Sequence, residues 1–97
     1  MSETVLLRAK VEKSKIDRFI CFIAELLSET RGFIGCINID IYQNCRNPEE
    51  FTFYENWESI EHYECYLAMR SEQGVMDTMA SMLQTPPDIQ YFTRLNI

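Results

Sequence analysis

Residues 50–67 read EFTFYENWESIEHYECYL, and the period of their side chains changes in the middle. From Glu50 to Trp57 every second residue falls on one side, as in a strand. That side carries Phe51, Phe53, Glu55 and Trp57. Ser59 is a helix-capping residue, and the apolar spacing after it predicts a helix to about Gln73. A strand that leads directly into a helix is therefore the starting point for the fold.

Two strands and a helix are predicted before this stretch. Thr4–Val11 alternates as a first strand, with one face made of Val5, Leu7, Ala9 and Val11. Ser14 and Asp17 are predicted to cap a helix that Gly32 ends, and its apolar stripe is Ile16, Phe19, Ile20, Ile23, Leu26 and Leu27. Ile34–Gln43 alternates as a second strand. One of its faces carries Ile37, Ile39 and Ile41, and the other carries Cys36, Asn38, Asp40 and Tyr42.

A short helix and a last strand are predicted after the central stretch. Gly74 interrupts the helical pattern, and a second helical segment continues through Leu83 with a stripe of Met76, Met79, Met82 and Leu83. Pro86 and Pro87 end this segment, because proline has no amide proton to continue a helix. Asp88–Asn96 alternates as the fourth strand. The order β-α-β-β-α-β over residues 1–97 predicts one α+β domain, ferredoxin-like, with a four-stranded antiparallel sheet.

Composition and charge exclude several classes of protein. The chain of 97 residues is 46% hydrophobic and 25% charged, which is typical of a globular domain. Its formal net charge of -6 disfavours nucleic acid as a partner, since binding to phosphates needs basic groups. No apolar run approaches the roughly 18 residues of a membrane span, and no secretory signal pattern is present. The expected location is the cytoplasm.

The cysteines and the histidine do not follow a metal-site pattern. His62 is the only histidine, and the cysteines are irregularly spaced at Cys21, Cys36, Cys45 and Cys65. Zinc sites need several converging ligands and usually contain closely spaced cysteine pairs. Cysteines inside strands and helices act as small hydrophobic residues. The sequence therefore predicts no metal and no cofactor, with His62 either solvated or at the rim of a pocket.

The second face of the predicted sheet indicates self-association. It mixes apolar, aromatic and polar side chains, namely Leu6, Arg8, Cys36, Asn38, Tyr42, Thr52, Tyr54 and Phe92. Such a face is too aromatic to be left in water and too polar for a dry core. The sheet of a second copy would cover it, so we expect a homodimer. The alternative is a sheet that is exposed to water on one side.

The central stretch also resembles a known family. Phe51–Ser59, followed by Glu61 and Leu67, is similar to the E-x-W-x-s-x-E signature of antibiotic biosynthesis monooxygenase domains. Gly35-Cys36 is similar to the family's glycine followed by a small residue. Tyr66 is a departure, because many members carry a histidine there. The resemblance implies a dimeric α+β barrel with a pocket between helices and sheet, where dioxygen oxidises phenols or quinols without metal or flavin.

Helical phase and the resemblance together select a candidate site. Phase places Tyr63, Tyr66 and Arg70 on the side of the second helix opposite its glutamates. The resemblance implies that Trp57 faces the helices. The predicted catalytic residues are Trp57, Tyr63 and Arg70, and the predicted substrate contacts are Phe53, Tyr66, Met76 and Met79. The expected partners are a small aromatic molecule and dioxygen.

Three interpretations of Arg70 follow from its inward position. A buried cation needs a partner, and Glu55 is the one acid on the inner side of the third strand. Arg70 can therefore form a structural ion pair with Glu55. Its stem can instead extend along apolar surface to reach water. In the functional interpretation, its guanidinium faces the oxygen of a bound phenolate or carbonyl.

Several functional classes fit this pattern to different degrees. The first is a cofactor-independent monooxygenase that deprotonates a bound phenol or quinol and passes electrons to dioxygen. The second is a non-oxidative enzyme or small-ligand-binding module with the same pocket. An RNA-binding module shares the strand order, but the basic and aromatic motifs it needs are missing. Heme degradation is disfavoured because Tyr66 and Leu67 occupy the place expected for an axial histidine.

Overall fold

The computed structural model describes residues 2–97, and its elements follow the predicted order. Met1, which the predicted domain includes, lies outside the described residues. The strands are β1 (Glu3–Lys10), β2 (Cys36–Gln43), β3 (Glu50–Trp57) and β4 (Asp88–Thr93), and the helices are α1 (Ile16–Arg31), α2 (Ile60–Glu72) and α3 (Val75–Ala80). All neighbouring strands are antiparallel, in the order β2-β3-β1-β4. The predicted ferredoxin-like α+β fold is confirmed.

The inner face of the sheet forms the core together with the helices. The buried residues of the two central strands are Val5, Leu7 and Ala9 of β1 and Phe51, Phe53, Glu55 and Trp57 of β3. From α1, Phe19 packs with its ring centroid 4.9 Å from that of Phe51. Burial of this apolar row is the main stabilising contribution to the fold. Glu55 is the only ionisable group in the row, and its position is the starting point for the site.

A β-bulge changes the face assignment that the sequence predicts for β2. Cys36 pairs with Trp57 and Asn38 pairs with Asn56, so Ile37 is an extra residue on the β2 side. Beyond the bulge the alternation continues as predicted, with Ile39 buried. Ile37 is therefore 54% exposed, while Cys36 packs against the core. The predicted faces of Ile37 and Cys36 are wrong, because an inserted residue reverses the alternation on one side of a bulge.

The ends of several elements also differ from the predicted ones. A 3-10 turn at Lys13–Lys15 precedes α1 and contains Ser14, and no side chain caps either element. The predicted Ser14 cap is therefore wrong, and α1 is held by its buried face instead. The helix α3 ends at Ala80 and not at Leu83 as predicted; Leu83 forms a bridge with Val11 instead. None of the helices among residues 2–97 is long and apolar enough to cross a membrane.

The start of α2 is fixed by a cap and by a close approach to the loop before β2. As predicted, Ser59 is the cap: its hydroxyl oxygen accepts a hydrogen bond from the backbone N–H of His62 at 3.1 Å. Gly35 has a φ of 91°, a backbone conformation that favours glycine. A β-carbon there would overlap the side chain of His62. The glycine therefore allows α2 to begin directly against the end of the sheet.

The outer face of the sheet is open in the single chain. Its exposed aromatic residues are Tyr42, Tyr54 and Phe92, and the extra residue of the bulge adds Ile37. A row of polar side chains crosses the same face: Thr4 donates to Asn56 at 2.7 Å, and Asn56 donates to Asn38 at 2.9 Å. Apart from Cys36, this is the mixed face that the sequence predicts.

Candidate functional site

A small cavity lies between the inner face of the sheet and the three helices. Residues of β1, β2, β3 and every helix contribute to its walls. Most of them are apolar, and the polar ones are Thr30, Glu55, Tyr63, Tyr66 and Arg70. The cavity measures about 30 Å³, which is room for about one or two water molecules. An aromatic molecule therefore requires some of these walls to move.

The cavity brings together all but one of the residues predicted from the sequence. Its lining includes Phe53, Tyr63, Tyr66, Arg70, Met76 and Met79. Trp57 does not line it, and its side chain is fully buried behind the tyrosines. The Trp57 ring centroid lies 5.6 Å from that of Tyr63 and 5.1 Å from that of Tyr66. A direct contact between Trp57 and a ligand in the cavity is thus absent from this arrangement.

Arg70 is buried and all of its donors are used within the protein. Its side chain is 2% exposed. Its Nε donates to the Tyr66 hydroxyl at 3.0 Å. The remaining donors reach Glu29 Oε1 at 2.6 Å, Gln73 Oε1 at 3.1 Å, the Leu26 carbonyl at 3.1 Å and Thr30 Oγ1 at 3.0 Å. A guanidinium has five N–H groups, so none is left for a ligand.

The ion pair predicted between Arg70 and Glu55 is wrong. Arg70 pairs with Glu29 of α1, and Glu55 accepts a hydrogen bond from Trp57 instead. Helical phase correctly places Arg70 inward, but it does not say which neighbouring element supplies the partner. The guanidinium ties α1 to α2, and the geometry gives no support to a catalytic role.

The Tyr66 hydroxyl belongs to the same network. Thr30 Oγ1 donates its one proton to the Leu26 carbonyl at 3.1 Å. Tyr66 must then be the donor in its 2.7 Å contact with Thr30 Oγ1, while its own oxygen accepts from Arg70. The phenol of Tyr66 is therefore engaged, and only its ring is available to a ligand.

Glu55 is a candidate functional residue that the sequence analysis placed only as a counter-ion. It is 2% exposed, and its Oε1 accepts from Trp57 Nε1 at 3.0 Å. Its second oxygen makes no hydrogen bond within residues 2–97, although every fully enclosed polar side-chain atom there has a partner. Glu55 lines the cavity, so its second oxygen is left to accept a hydrogen bond from a molecule there. Burial raises the pKa of Glu55 from 4.5 to about 7, against the lowering effect of the Trp57 hydrogen bond.

Tyr63 is the second polar group that is not already engaged. Its side chain is almost fully buried, and its hydroxyl makes no hydrogen bond to the part of the chain that the structure describes. Burial, followed by the nearby charge of Glu55, raises the pKa of Tyr63 well above its ordinary value. Tyr63 thus remains a neutral hydrogen-bond donor at physiological pH. Together, Glu55 and Tyr63 provide a base of near-neutral pKa and a donor on one apolar cavity.

The histidine and the cysteines lie outside this arrangement. His62 is half-buried, and its Nδ1 lies 2.7 Å from the Ser59 hydroxyl oxygen rather than at the cavity. All four cysteines are free thiols. Across residues 2–97, no group of three or more His, Cys, Asp or Glu side chains converges as metal ligands would.

Substitution of Arg70 tests its role as the link between the helices. Arg70→Met keeps a long apolar stem but removes every donor, and we expect it to lower the free energy of unfolding by about 3–5 kcal/mol. Urea unfolding measures this loss. The control Glu25→Gln changes an exposed side chain of the same helix that does not contact Arg70, so its cost should stay within about 0.5 kcal/mol.

A double-mutant cycle then separates this network from Glu55. Glu55→Gln should change stability equally in the wild-type and Arg70→Met backgrounds, because the two side chains have different partners. A coupling above about 1 kcal/mol would show that they interact after all.

The pKa of Glu55 makes stability depend on pH. Glu55 holds its proton more tightly in the folded chain, so its stabilising contribution is complete below about pH 4.5 and is lost as the pH rises through about 7. The expected loss is about 3 kcal/mol. In urea unfolding across this range, Glu55→Gln should remove this part of the pH dependence and the exposed Glu61→Gln should not. Parallel curves for wild type and Glu55→Gln would contradict the shifted pKa.

Comparisons with known proteins agree with this fold. A family model described as antibiotic biosynthesis monooxygenase matches residues 4–73. No curated protein matches the chain. A conserved protein from Methanosarcina mazei Go1 is 21% identical with a TM-score of 0.90, and the match covers 98% of this chain and 94% of that chain.

Two further solved structures are similar over almost their whole length. One, from Nitrosomonas europaea, is provisionally named an antibiotic biosynthesis monooxygenase; it is 18% identical with a TM-score of 0.89, covering 98% of this chain and 91% of that one. The other, Rv0793 from Mycobacterium tuberculosis, is 14% identical with a TM-score of 0.88, covering 100% and 98%. At these identities the structures show a shared fold, whereas the family model matches most of the sequence itself. The chain therefore belongs to the antibiotic biosynthesis monooxygenase family.

Proposed function

We propose that the protein is a cofactor-independent monooxygenase that oxidises a phenol- or quinol-type aromatic molecule in the cavity beneath the helices. The observation that carries the proposal is Glu55, a buried carboxyl that lines an apolar cavity and has one oxygen without a hydrogen bond to residues 2–97. A pKa of about 7 suits a general base at physiological pH. Membership of the family supports the same chemistry.

In the first step, Glu55 takes a proton from the bound aromatic molecule. The acidic hydrogen is that of a phenol, or of the methylene group opposite the carbonyl in an anthrone. Tyr63 donates a hydrogen bond to the oxygen on which negative charge develops. Because the walls are apolar, few other groups compete for that oxygen. Exclusion of water also strengthens the two polar contacts.

The substrate anion then supplies all the electrons. It transfers one electron to dioxygen, and the resulting radical pair combines to form a carbon–oxygen bond. The peroxide O–O bond breaks, so that one oxygen atom stays on the substrate as a carbonyl. The other leaves as water, with one proton returned by Glu55 and one released from the oxidised carbon as its remaining C–H bond breaks. For an anthrone, the net reaction consumes one dioxygen and gives an anthraquinone and water, so no external reductant is needed.

Access to the cavity requires movement of α3. Pockets for small ligands measure about 300–1,000 Å³, far more than the about 30 Å³ present here. Met76 and Met79 of α3 form part of the wall, and methionine side chains adapt easily to different shapes. Gly74, with a φ of 78°, precedes α3 and has no neighbour within 4 Å of its β-carbon position. We propose that α3 moves about this glycine to admit the substrate.

One observation also favours a second function, a proton transfer without oxidation. A carboxyl of near-neutral pKa in an apolar cavity serves an isomerisation as well as an oxidation. The requirement for dioxygen separates the two reactions.

We also propose that the protein is a homodimer in which the outer faces of two sheets pack together. This face carries Tyr42, Tyr54, Phe92 and the Ile37 side chain that the bulge turns outward. A second copy offers an identical face. Two such faces related by a two-fold axis cover each other completely, so the assembly stops at two chains. The family resemblance implies the same arrangement.

Oxygen uptake with a panel of anthrones and quinols tests the proposed reaction. Wild-type protein should consume dioxygen faster than the buffer blank, with kcat/KM rising through about pH 7 as Glu55 ionises. Glu55→Gln should lower the rate by about 10²–10⁴-fold, because it removes the base. The exposed Glu61→Gln carries the same charge change and should retain full activity.

Two outcomes of this assay would overturn the oxygenase proposal. Turnover that persists unchanged without dioxygen would indicate the non-oxidative reaction. Rates that never exceed the blank across the panel would indicate a ligand-binding module.

Light scattering tests the dimer. Wild-type protein at micromolar concentration should have twice the 11.5 kDa mass of the chain. Tyr54→Lys puts a charge at the centre of the outer face and should shift the mass to that of a monomer. Ile20→Lys is the matched control, since both side chains are 43% exposed but Ile20 lies on α1. A monomeric wild-type protein would contradict the proposal.

A further inference from the structure

The indole N–H of Trp57 and the carboxyl of Glu55 form a contact within one strand. Both residues lie on the inner side of β3, two positions apart, and Nε1 donates to Oε1 at 3.0 Å. We infer that Trp57 is a positioning residue, which holds one oxygen of Glu55 and leaves the other oxygen directed at the cavity. The consequence of this contact for catalysis rests on the proposed function, whereas the effect of Trp57 on the carboxyl of Glu55 does not.

The indole is held rigidly enough for this role. Its side chain has no exposed surface. Three aromatic rings surround it, with centroids 6.3 Å away for Phe33, 5.6 Å for Tyr63 and 5.1 Å for Tyr66. Close packing of this kind restricts a side chain to one rotamer. The N–H therefore has a fixed direction, and the carboxyl that accepts from it is fixed in turn.

Trp57 is also the one hydrogen-bond donor to Glu55 among the described residues. The cross-strand neighbours of Glu55 are Val5 on β1 and Ile39 on β2, which are both apolar. The cavity wall from α3 consists of Val75, Met76 and Met79, which carry no charge. These elements therefore provide no partner for a carboxylate.

The charged and titratable groups around Glu55 do not replace that donor. From β2, the thiol of Cys36 has its pKa raised by burial and then by the charge of Glu55. From α2, Tyr63 has a raised pKa and stays neutral, while Tyr66 and Arg70 are engaged with each other. From α1, Glu29 pairs with Arg70, and Arg31 donates to the Ile39 carbonyl. The ionised form of Glu55 is thus stabilised mainly by the indole.

Two effects should follow when the N–H is removed. The pKa of Glu55 should rise further, by about one to two units, because a hydrogen bond to a charged group is lost. The carboxyl should also gain rotational freedom, which lowers kcat more than it changes KM. A tryptophan that only filled space would produce neither effect.

The experiment uses the fact that Trp57 is the only tryptophan in the chain. Expression with 3-benzothienylalanine in place of tryptophan replaces the N–H with sulfur and keeps the shape of the ring. Carbon-13 NMR of the glutamate carboxyl carbons, with Glu55→Gln for assignment, then gives the Glu55 midpoint. We expect it to move from about 7 to about 8–9, with a matching shift of the acid limb of kcat/KM. An unchanged midpoint would overturn the inference.

A second measurement uses the unmodified protein, so it does not depend on whether the protein that contains the tryptophan analogue folds. The unmodified protein has a single indole N–H resonance, which should titrate with a midpoint of about 7 and should lose this transition in Glu55→Gln. A transition that persists in Glu55→Gln, or none between pH 5 and 9, would contradict the inference. If both NMR results hold but no substrate is oxidised, the proposed function fails and the positioning role stands.

Discussion

The guanidinium of Arg70 is the interaction on which the rest of the helix layer depends. It enters the core near the end of α2 and gives every donor to α1 or to its own helix. This arrangement engages Tyr66 and Thr30 and fixes the helices over the sheet. It also affects Glu55: within residues 2–97 Arg70 is the one buried cation, and because it pairs with Glu29, Glu55 has no counter-ion there. Burial raises the pKa of Glu55 to about 7, and the hydrogen bond from Trp57 lowers it only in part.

The site combines one base, one neutral donor and apolar walls. Glu55 is presented by the central strand β3, where the indole of Trp57 restrains it, and Tyr63 faces it from α2. Many family members carry a histidine where this chain has Tyr66, and the Tyr66 hydroxyl is engaged in the Arg70 network. The proposed proton transfer does not need that histidine, since a buried carboxyl of raised pKa can take its place.

The sequence predicts the elements well because each periodic pattern extends over many residues and the residues that end each element are clear signals. The change from strand to helix at Ser59 is an example, since alternation, cap and helical stripe all agree there. The sequence does not predict the bulge at Ile37, because isoleucine continues to occupy every second position through it and only the pairing with β3 shows the inserted residue. The partner of Arg70 was missed for a different reason: Glu29 lies on the exposed side of α1, and periodicity does not tell which helices meet. Because Glu29 takes the guanidinium, Glu55 has no basic partner among residues 2–97, and periodicity does not show that either.

The most direct test of the account is a crystal structure with a phenol that binds but resists oxidation, such as a fluorinated naphthol. The account predicts that the ligand lies in the cavity beneath α3, with Met76 and Met79 displaced to make room. Its phenol oxygen should lie about 2.6–3.2 Å from the Glu55 oxygen that Trp57 does not hold. A ligand bound on the outer face of the sheet, or one in the cavity with its oxygen turned away from Glu55, would contradict it.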